Sequence, residues 1–177
     1  MKVRPATVGD LDLCEELDAS YLTNYAWQMS ETTRSDRVGA TFQRVRLPRQ
    51  MGVKYPCKVD DLLEDWRRSE CLLVACDGRE PVGYLDMIVE SRGWQGWIKH
   101  LVVHRAWRRQ GVATRLLEVA EDWARSSRLY AVTAVVQNKN DPAINLCINR
   151  GYAFRGFIDY YFNNGDLGLL YSLRFSP

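Results

Sequence analysis

The 177-residue chain contains no run of about 18 apolar residues, so no membrane-spanning helix is expected from it. Its opening, MKVRPATVGDLDLCEELD, has no apolar export core either, and secretion is disfavoured. Two nucleotide signatures are missing. Without GxxxxGK[ST], or GxGxxG near an early strand, nucleotide hydrolysis and hydride transfer lose their usual phosphate cradles. Five cysteines, Cys14, Cys57, Cys71, Cys76 and Cys147, include no CxxC pair and no nearby metal-type histidines. We read them as reduced thiols of a cytoplasmic protein with no metal. Net charge is nearly absent as well: 24 Lys and Arg against 22 Asp and Glu make a nucleic-acid partner unexpected, and any anion site must be local. No repeat, low-complexity segment or Pro/Ser-rich linker divides the chain, so residues 1–177 are expected to form a single domain.

What is present is an alternation of strand and helix patterns. KVRPAT suits a short strand, and Leu11, Cys14, Leu17 and Leu22 recur at near-helical spacing behind it. Between Asn24 and Pro56, YAWQMSETT and ATFQRVRLP look extended, whereas residues 34–39 and PRQMGVKYP look like turns or an arm. A helix over 60–69 would turn Leu62, Leu63 and Trp66 inward. CLLVACDGREPVGYLDMIVESRG reads as two strands around a DG turn, and GWQGWIKHLVVH as a further strand with Ile98, Leu101, Val102 and Val103 in the core. Residues 111–127 carry the clearest 3.6-residue stripe: Val112, Leu116, Val119, Ala120, Trp123 and Ala124. YAVTAVV is a β-branched strand, DPAINLCINRGY a short helix stopped by Gly151, and AFRGFIDYYF with LGLLYSLRF a terminal pair around NNGD. The second half is therefore β-α-β-α-β-β, and the fold class α/β.

The stretch RRQGVATRLL sets a basic, glycine-containing turn before the best helix. Backbone N–H groups at a helix start have no intrahelical acceptor and attract anions. Gly111 permits close approach, Ala113 is small, and Arg108 and Arg109 can add charge outside the turn. An ordinary solvated β-α turn is the competing reading of these residues alone.

Taken with VVQNKNDPAINLCINRGYAF downstream, the segment 98–157 resembles the GNAT superfamily of acyl-CoA-dependent N-acyltransferases. The family pattern [QR]-x-x-G-x-[GA] is matched by Arg108, Arg109, Gln110, Gly111, Val112 and Ala113, and N-x-x-A by Asn140 and Ala143, with Gly151 and Tyr152 as the later G-[FY] pair. The resemblance implies a GNAT-like mixed central sheet flanked by helices, with the CoA-binding core at about residues 96–157. It implies that amides from Arg108 to Thr114 hold the CoA pyrophosphate, that Leu101, Val102 and Val103 bond the pantetheine where two strands splay apart, and that Asn140 bonds the pantetheine arm. The implied reaction is direct attack of a primary amine on acetyl-CoA, with backbone donors near Val103 facing the developing oxyanion. The acceptor is a small-molecule amine or a peptide or protein amino group. A homodimer is common in the family. The alternative is a non-catalytic acyl-CoA binding or sensing module on the same fold.

Two positions depart from the family pattern. Where many relatives carry a carboxylate before the motif, this chain has Lys99 and His100, so His100 is the nearest replacement base, with an ordinary pKa of ~6.5. Where many relatives carry a tyrosine that protonates the leaving thiolate, this chain has Cys147, whose other reading is inert packing. Tyr152 and Tyr160 are further candidate donors, and His104 is read as a surface residue. Asp86 and Glu90 are read as solvent-exposed rather than near the acceptor. Tyr21, Tyr25 and Trp27 either wall an amine pocket or pack in the core. Arg44, Arg46 and Arg49 form a basic stripe whose default is a solvated strand face.

Overall fold

A computed structural model describes residues 1–56, 62–68, 70–90 and 94–175. Among the described residues, nine strands and four α-helices follow in the order β1 (Lys2–Pro5), α1 (Val8–Glu15), β2 (Tyr21–Arg34), β3 (Arg37–Val53), α2 (Leu62–Arg68), β4 (Cys71–Asp77) and β5 (Glu80–Glu90), then β6 (Gln95–Val103), α3 (Val112–Ser126), β7 (Ala131–Gln137), α4 (Asp141–Asn149), β8 (Ala153–Ile158) and β9 (Gly168–Arg174). Seven strands form one sheet in the order β1-β4-β5-β6-β7-β9-β8, while β2 and β3 pair only with each other. Within the large sheet β6 and β7 run parallel and the other pairs antiparallel. The β-α-β-α-β-β second half is as the sequence pattern implies, and the mixed sheet flanked by helices is as the resemblance implies.

Helices cover both faces of the sheet. β4 is apolar along nearly its whole length because alternate residues point opposite ways: Leu72, Val74 and Cys76 join Leu11 and Cys14 of α1 and Leu62 of α2, whereas Leu73 and Ala75 meet Leu116, Ala120 and Ala124 of α3 and Ile144 of α4. Of the α3 stripe, Val112, Leu116, Ala120 and Ala124 are buried while Val119 and Trp123 pack against the core partly buried, and each leucine of Leu116's kind contributes ~1.5–3 kcal/mol by leaving water. β6 approaches β5 closely at Gly96, where a Cβ would lie 2.6 Å from the Met87 sulfur.

Several sequence expectations are corrected. The first helix ends at Glu15, and Leu22 faces outward on β2. The two extended stretches are as expected but belong to one long antiparallel ribbon, whose turn is confined to Ser35 and Asp36 and whose second strand continues through residues 48–53, where turns or an arm were expected. Pro48 is tolerated because residues 47–50 lie in a bulge between the Tyr25–Arg46 and Thr23–Met51 pairs, where no ladder N–H is required of it. Leu63 points outward while Leu62 is buried and Trp66 half-buried; Asp60, Asp61 and Ser69 lie outside the described residues. On β6 only Val102 of the four expected core residues is fully buried, whereas Ile98, Leu101 and Val103 pack against the core from a partly open position. The terminal pair is shorter than its sequence pattern, since residues 159–167 form the loop joining β8 to β9.

Candidate functional site

The parallel pair supplies the opening. β6 and β7 are matched from Gln95–Ala131 to Ile98–Ala134 and no further, while β7 continues against β9 up to Gln137–Gly168. Residues 99–103 of β6 therefore stay with β5 and part from β7. A bulge at Lys99, between the Asp86–His100 and Met87–Ile98 pairs, bends β6 at the parting point. Leu101, Val102 and Val103 thus line one arm of a V whose other arm is the end of β7. An extended ligand that carries amide groups can enter between the arms and bond backbone groups that a closed sheet would have used.

At the mouth of this V, α3 begins. Gly111 sits at its N-cap with φ +82, a left-handed conformation that glycine adopts without cost, and nothing lies within 4 Å of where a Cβ would project. The first helical bond runs from the Arg115 N–H to the Gly111 carbonyl at 2.9 Å. The N–H groups of Gly111, Val112, Ala113 and Thr114 precede it and share the positive end of the helix. Arg109 is also left-handed, with φ +63, and is exposed. Gln110 turns back, donating from Nε2 to the Ala106 carbonyl at 2.8 Å.

Arg108 does something other than lend free charge. Its guanidinium donates to the carbonyls of Val103 (2.9 Å), Ser20 (2.6 Å) and Asp18 (2.6 Å), lashing the turn to the segment between α1 and β2. Burial lowers its pKa from the usual arginine value. Its side chain shapes the loop, which leaves the backbone N–H groups at the start of α3 as the donors that face outward there.

The start of α4 forms the other lip. Asn140 caps this helix, its Oδ1 accepting from the Ala143 N–H at 3.1 Å, so the Asn140 Nδ2 is the group left to meet a ligand. The ribbon is fixed here too. Asp141 accepts from Arg44 Nε and Nη2 at 2.7 and 2.8 Å and from Trp27 Nε1 at 3.2 Å, and the Arg44 guanidinium lies 3.5 Å from the centre of the Tyr25 ring. Arg44 holds the Asp141 carboxyl below the usual range. Tyr25 and Trp27 are therefore clamp residues rather than walls of an amine pocket, and Arg44 leaves the solvated stripe that Arg46 and Arg49 keep. Tyr21 differs from both. Its hydroxyl donates to Gln137 Oε1, Gln137 in turn donates to Asp166, and so the base of the ribbon is tied to the β8–β9 loop across the end of β7. Tyr21 also lines a cleft of about 250 Å³ with Leu22, Val53, Lys54, Arg105 and Arg108.

His100 faces the same side of the sheet as α1 and α2. It is 5% exposed, and its Nδ1 lies 2.9 Å from the hydroxyl of Tyr55, which follows β3. Directly opposite it on β5 stands Asp86, completely buried, contrary to the solvent exposure its sequence context suggests. Glu90 does reach the surface, accepting from Trp97 Nε1 at 3.2 Å. His104 is exposed and caps the short turn at Arg105–Trp107. Cys147 is buried in the cluster shared by α3 and α4, where burial pushes its thiol up to about 12. Tyr152 is occupied, donating to buried Glu121 at 3.2 Å, and Tyr160 projects into solvent.

The structure thus brings Leu101, Val102, Val103, the 108–114 turn, Asn140 and Ala143 to one edge of the sheet, puts His100 on the adjoining face, and leaves Cys147 in the core. Sequence reasoning missed Tyr55, Gln137 and Asp166. No local pattern marks them, because the Tyr55–His100, Tyr21–Gln137 and Gln137–Asp166 contacts each join residues 29 or more positions apart.

A profile of the Acetyltransferase (GNAT) family matches residues 40–152. Streptothricin acetyltransferase of Escherichia coli is 39% identical over 59 residues, 33% of this chain and 34% of that protein. The N-terminal acetyltransferase B complex catalytic subunit NAA20 of Arabidopsis thaliana is 31% identical over 93 residues, 50% of this chain and 53% of that protein. The matched stretches span about a third to a half of these relatives' length. The crystal structure of nourseothricin acetyltransferase shares the fold at a TM-score of 0.83, with 22% identity and coverage of 98% of this chain and 97% of that one. The profile spans more than half of the sequence, and it follows the turn, the splayed strands and the capped α4 described above: the chain belongs to the acetyltransferase (GNAT) family.

Proposed function

We propose that this protein is an acetyl-CoA-dependent N-acetyltransferase that acylates a primary amine, in one domain spanning residues 1–177. The observation that carries the reading is the parting of β6 from β7 after Ile98, immediately beside the N-terminus of α3 with its left-handed Gly111. The residues fit CoA. Amides of Arg109, Gln110, Gly111, Val112, Ala113 and Thr114 would hold the pyrophosphate, with the Arg108 side chain bracing the turn. Leu101, Val102 and Val103 would bond the pantetheine through their backbone, and Asn140 through its Nδ2, beside Ala143. When bound, acetyl-CoA supplies the activated thioester.

His100 takes the proton that the acceptor ammonium must lose, directly or through a water, with Tyr55 fixing its ring. The amine nitrogen then bonds the acetyl carbon, the carbon–sulfur bond breaks, and the nitrogen gives up its second proton as the departing thiolate takes one up, directly or through water. Backbone donors of the open β6 arm near Val103 face the oxygen on which charge develops. Cys147 carries no step in this reading, because its thiol is enclosed by apolar side chains. The acceptor class is a small-molecule amine or a peptide amino group; the similarity to streptothricin acetyltransferase leans towards the former. Four free, buried cysteines, Cys14, Cys71, Cys76 and Cys147, support a reducing, cytoplasmic setting. A homodimer is included in the proposal, to be tested by light scattering.

The test is release of CoA thiol from acetyl-CoA against a panel of mixed amines and peptides, with melting temperature measured in parallel. Thiol release with at least one amine, and thermal protection by acetyl-CoA, are expected. Protection without turnover on any acceptor would favour the non-catalytic binding module, and neither effect would overturn both readings.

A further inference from the structure

We infer that Asp86 is a positioning residue for His100, a buried carboxylate set across the β5–β6 pair whose charge strengthens the imidazole as the base for the acceptor amine. The inference rests on the reading of His100 as that base.

Three observations carry it. Asp86 and His100 are direct partners in the antiparallel register, at the last matched position before the bulge. Residues opposed in this way project from the same face with Cβ atoms ~4.5–5.5 Å apart, close enough for the charge of a carboxylate to act on an imidazole. Both are buried, Asp86 at 0% and His100 at 5% exposure, so little solvent screens one from the other. Tyr55 holds the ring from another side through Nδ1, and its ring centre lies 5.9 Å from that of His100. An imidazole fixed at one nitrogen and faced by a buried anion is preorganised to become an imidazolium.

The neighbouring groups leave this role to Asp86. On β4, Cys71 is pushed up to about 12, by burial first and then by the Asp86 charge, so it stays a neutral thiol. Tyr84 packs beside His100 with ring centres 6.5 Å apart, as a buried phenol. Lys99, in the bulge, is exposed. From α1, Cys14 is likewise pushed up to about 12 by burial, and Glu15 accepts from the Leu62 N–H at 2.9 Å. Glu64 of α2 pairs with Arg67 and Arg68. Among the described residues, Asp86 is the one carboxylate buried in register with His100.

The experiment compares pH profiles of kcat/KM for the full chain, Asp86→Asn and His100→Gln, with saturating acetyl-CoA and an acceptor from the amine panel. A buried carboxylate stabilises the imidazolium, so its removal lowers the pKa of the base and leaves the base unprotonated down to lower pH. Asp86→Asn should move the acid limb down by about one pH unit, lower the plateau roughly tenfold and keep protection by CoA. A merely structural role would lower melting temperature and rate without moving the limb. If His100→Gln abolishes the limb while Asp86→Asn leaves it in place, the inference about Asp86 fails and the base survives. If His100→Gln keeps both limb and rate, the reading of His100 as base fails with it. Proton NMR covers the case in which Asp86→Asn does not fold, since the chain has only two histidines. In the wild type the His100 ring should titrate above the ordinary ~6.5, and a value at or below that overturns the inference.

Discussion

Replacing Gly111 separates backbone strain from anion binding, since alanine and glutamate share the first effect and differ in the second. With φ at +82, any side chain here costs ~1–2 kcal/mol of left-handed strain. A Cβ would meet no atom within 4 Å, so no steric clash is added. For a chain of this size the strain corresponds to a fall in melting temperature of roughly 2–8 °C. Gly111→Ala should show that fall and weaken CoA binding less than tenfold. Gly111→Glu should melt at about the same temperature but carry a negative charge over the N–H groups that precede the Arg115–Gly111 bond. Two like charges ~4 Å apart at an effective dielectric of ~20 repel by ~4 kcal/mol, which is about three decades in Kd. Scanning fluorimetry gives the first number and calorimetric titration with CoA the second. Should Gly111→Glu bind CoA within tenfold of Gly111→Ala, the pyrophosphate is held elsewhere and the reasoning is wrong.

Arg108→Lys cannot serve three carbonyls at once, so it should cost ~2 kcal/mol and about 4–8 °C in melting temperature, and CoA affinity should fall as the turn loosens; Arg109→Ala, by contrast, should alter Kd only a few-fold and leave stability nearly unchanged. The thiols of Cys14, Cys71 and Cys147 are each pushed up to about 12 by burial, so iodoacetamide at pH 8 should label them only after denaturation, and rapid native labelling followed by mass spectrometry would refute their placement. Cys147→Ala should lower melting temperature while leaving kcat unchanged; a large loss of kcat at full CoA affinity would restore a catalytic role to the thiol. Acid stability has a defined sign. Arg4 holds the Asp10 carboxyl, and Arg44 that of Asp141, below the ordinary value, so the stability they contribute is complete above the unfolded pKa of ~3.9 and lost as pH falls from there towards the folded values. Melting temperature should fall steeply below about pH 4 in the wild type and less steeply in Asp10→Asn.

Local patterns were informative wherever a residue's role depends on its near neighbours. The α3 stripe, the DG turn between β4 and β5, the Gly111 turn and the Asn140 cap all arise from residues within a few positions of one another, which is why the CoA half of the candidate site was legible. The ribbon was less so. Its strands, Tyr21–Arg34 and Arg37–Val53, are largely exposed at the tip and carry no hydrophobic alternation to announce them. Pro48 within the bulge added a misleading turn signal. Arg108 illustrates a different limit. Its cationic nature is visible, but the carbonyls that consume it come from Ser20 and Asp18, some 90 residues earlier, as well as from Val103.

From sequence alone came the order of elements in the second half, the helix-start turn that suits a pyrophosphate, and the two departures at His100 and Cys147. These follow from periodicity, capping and backbone sterics, which act over a turn of helix or a pair of strands. Only the tertiary structure decided that β6 parts from β7 after Ile98, that the Arg108 guanidinium braces the turn through three carbonyls, that Cys147 is core, and that Asp86 and Tyr55 lie beside His100. Each of those depends on which distant segments share a face and how far they exclude water. Burial and register are properties of the assembled sheet, and no window of the chain contains them.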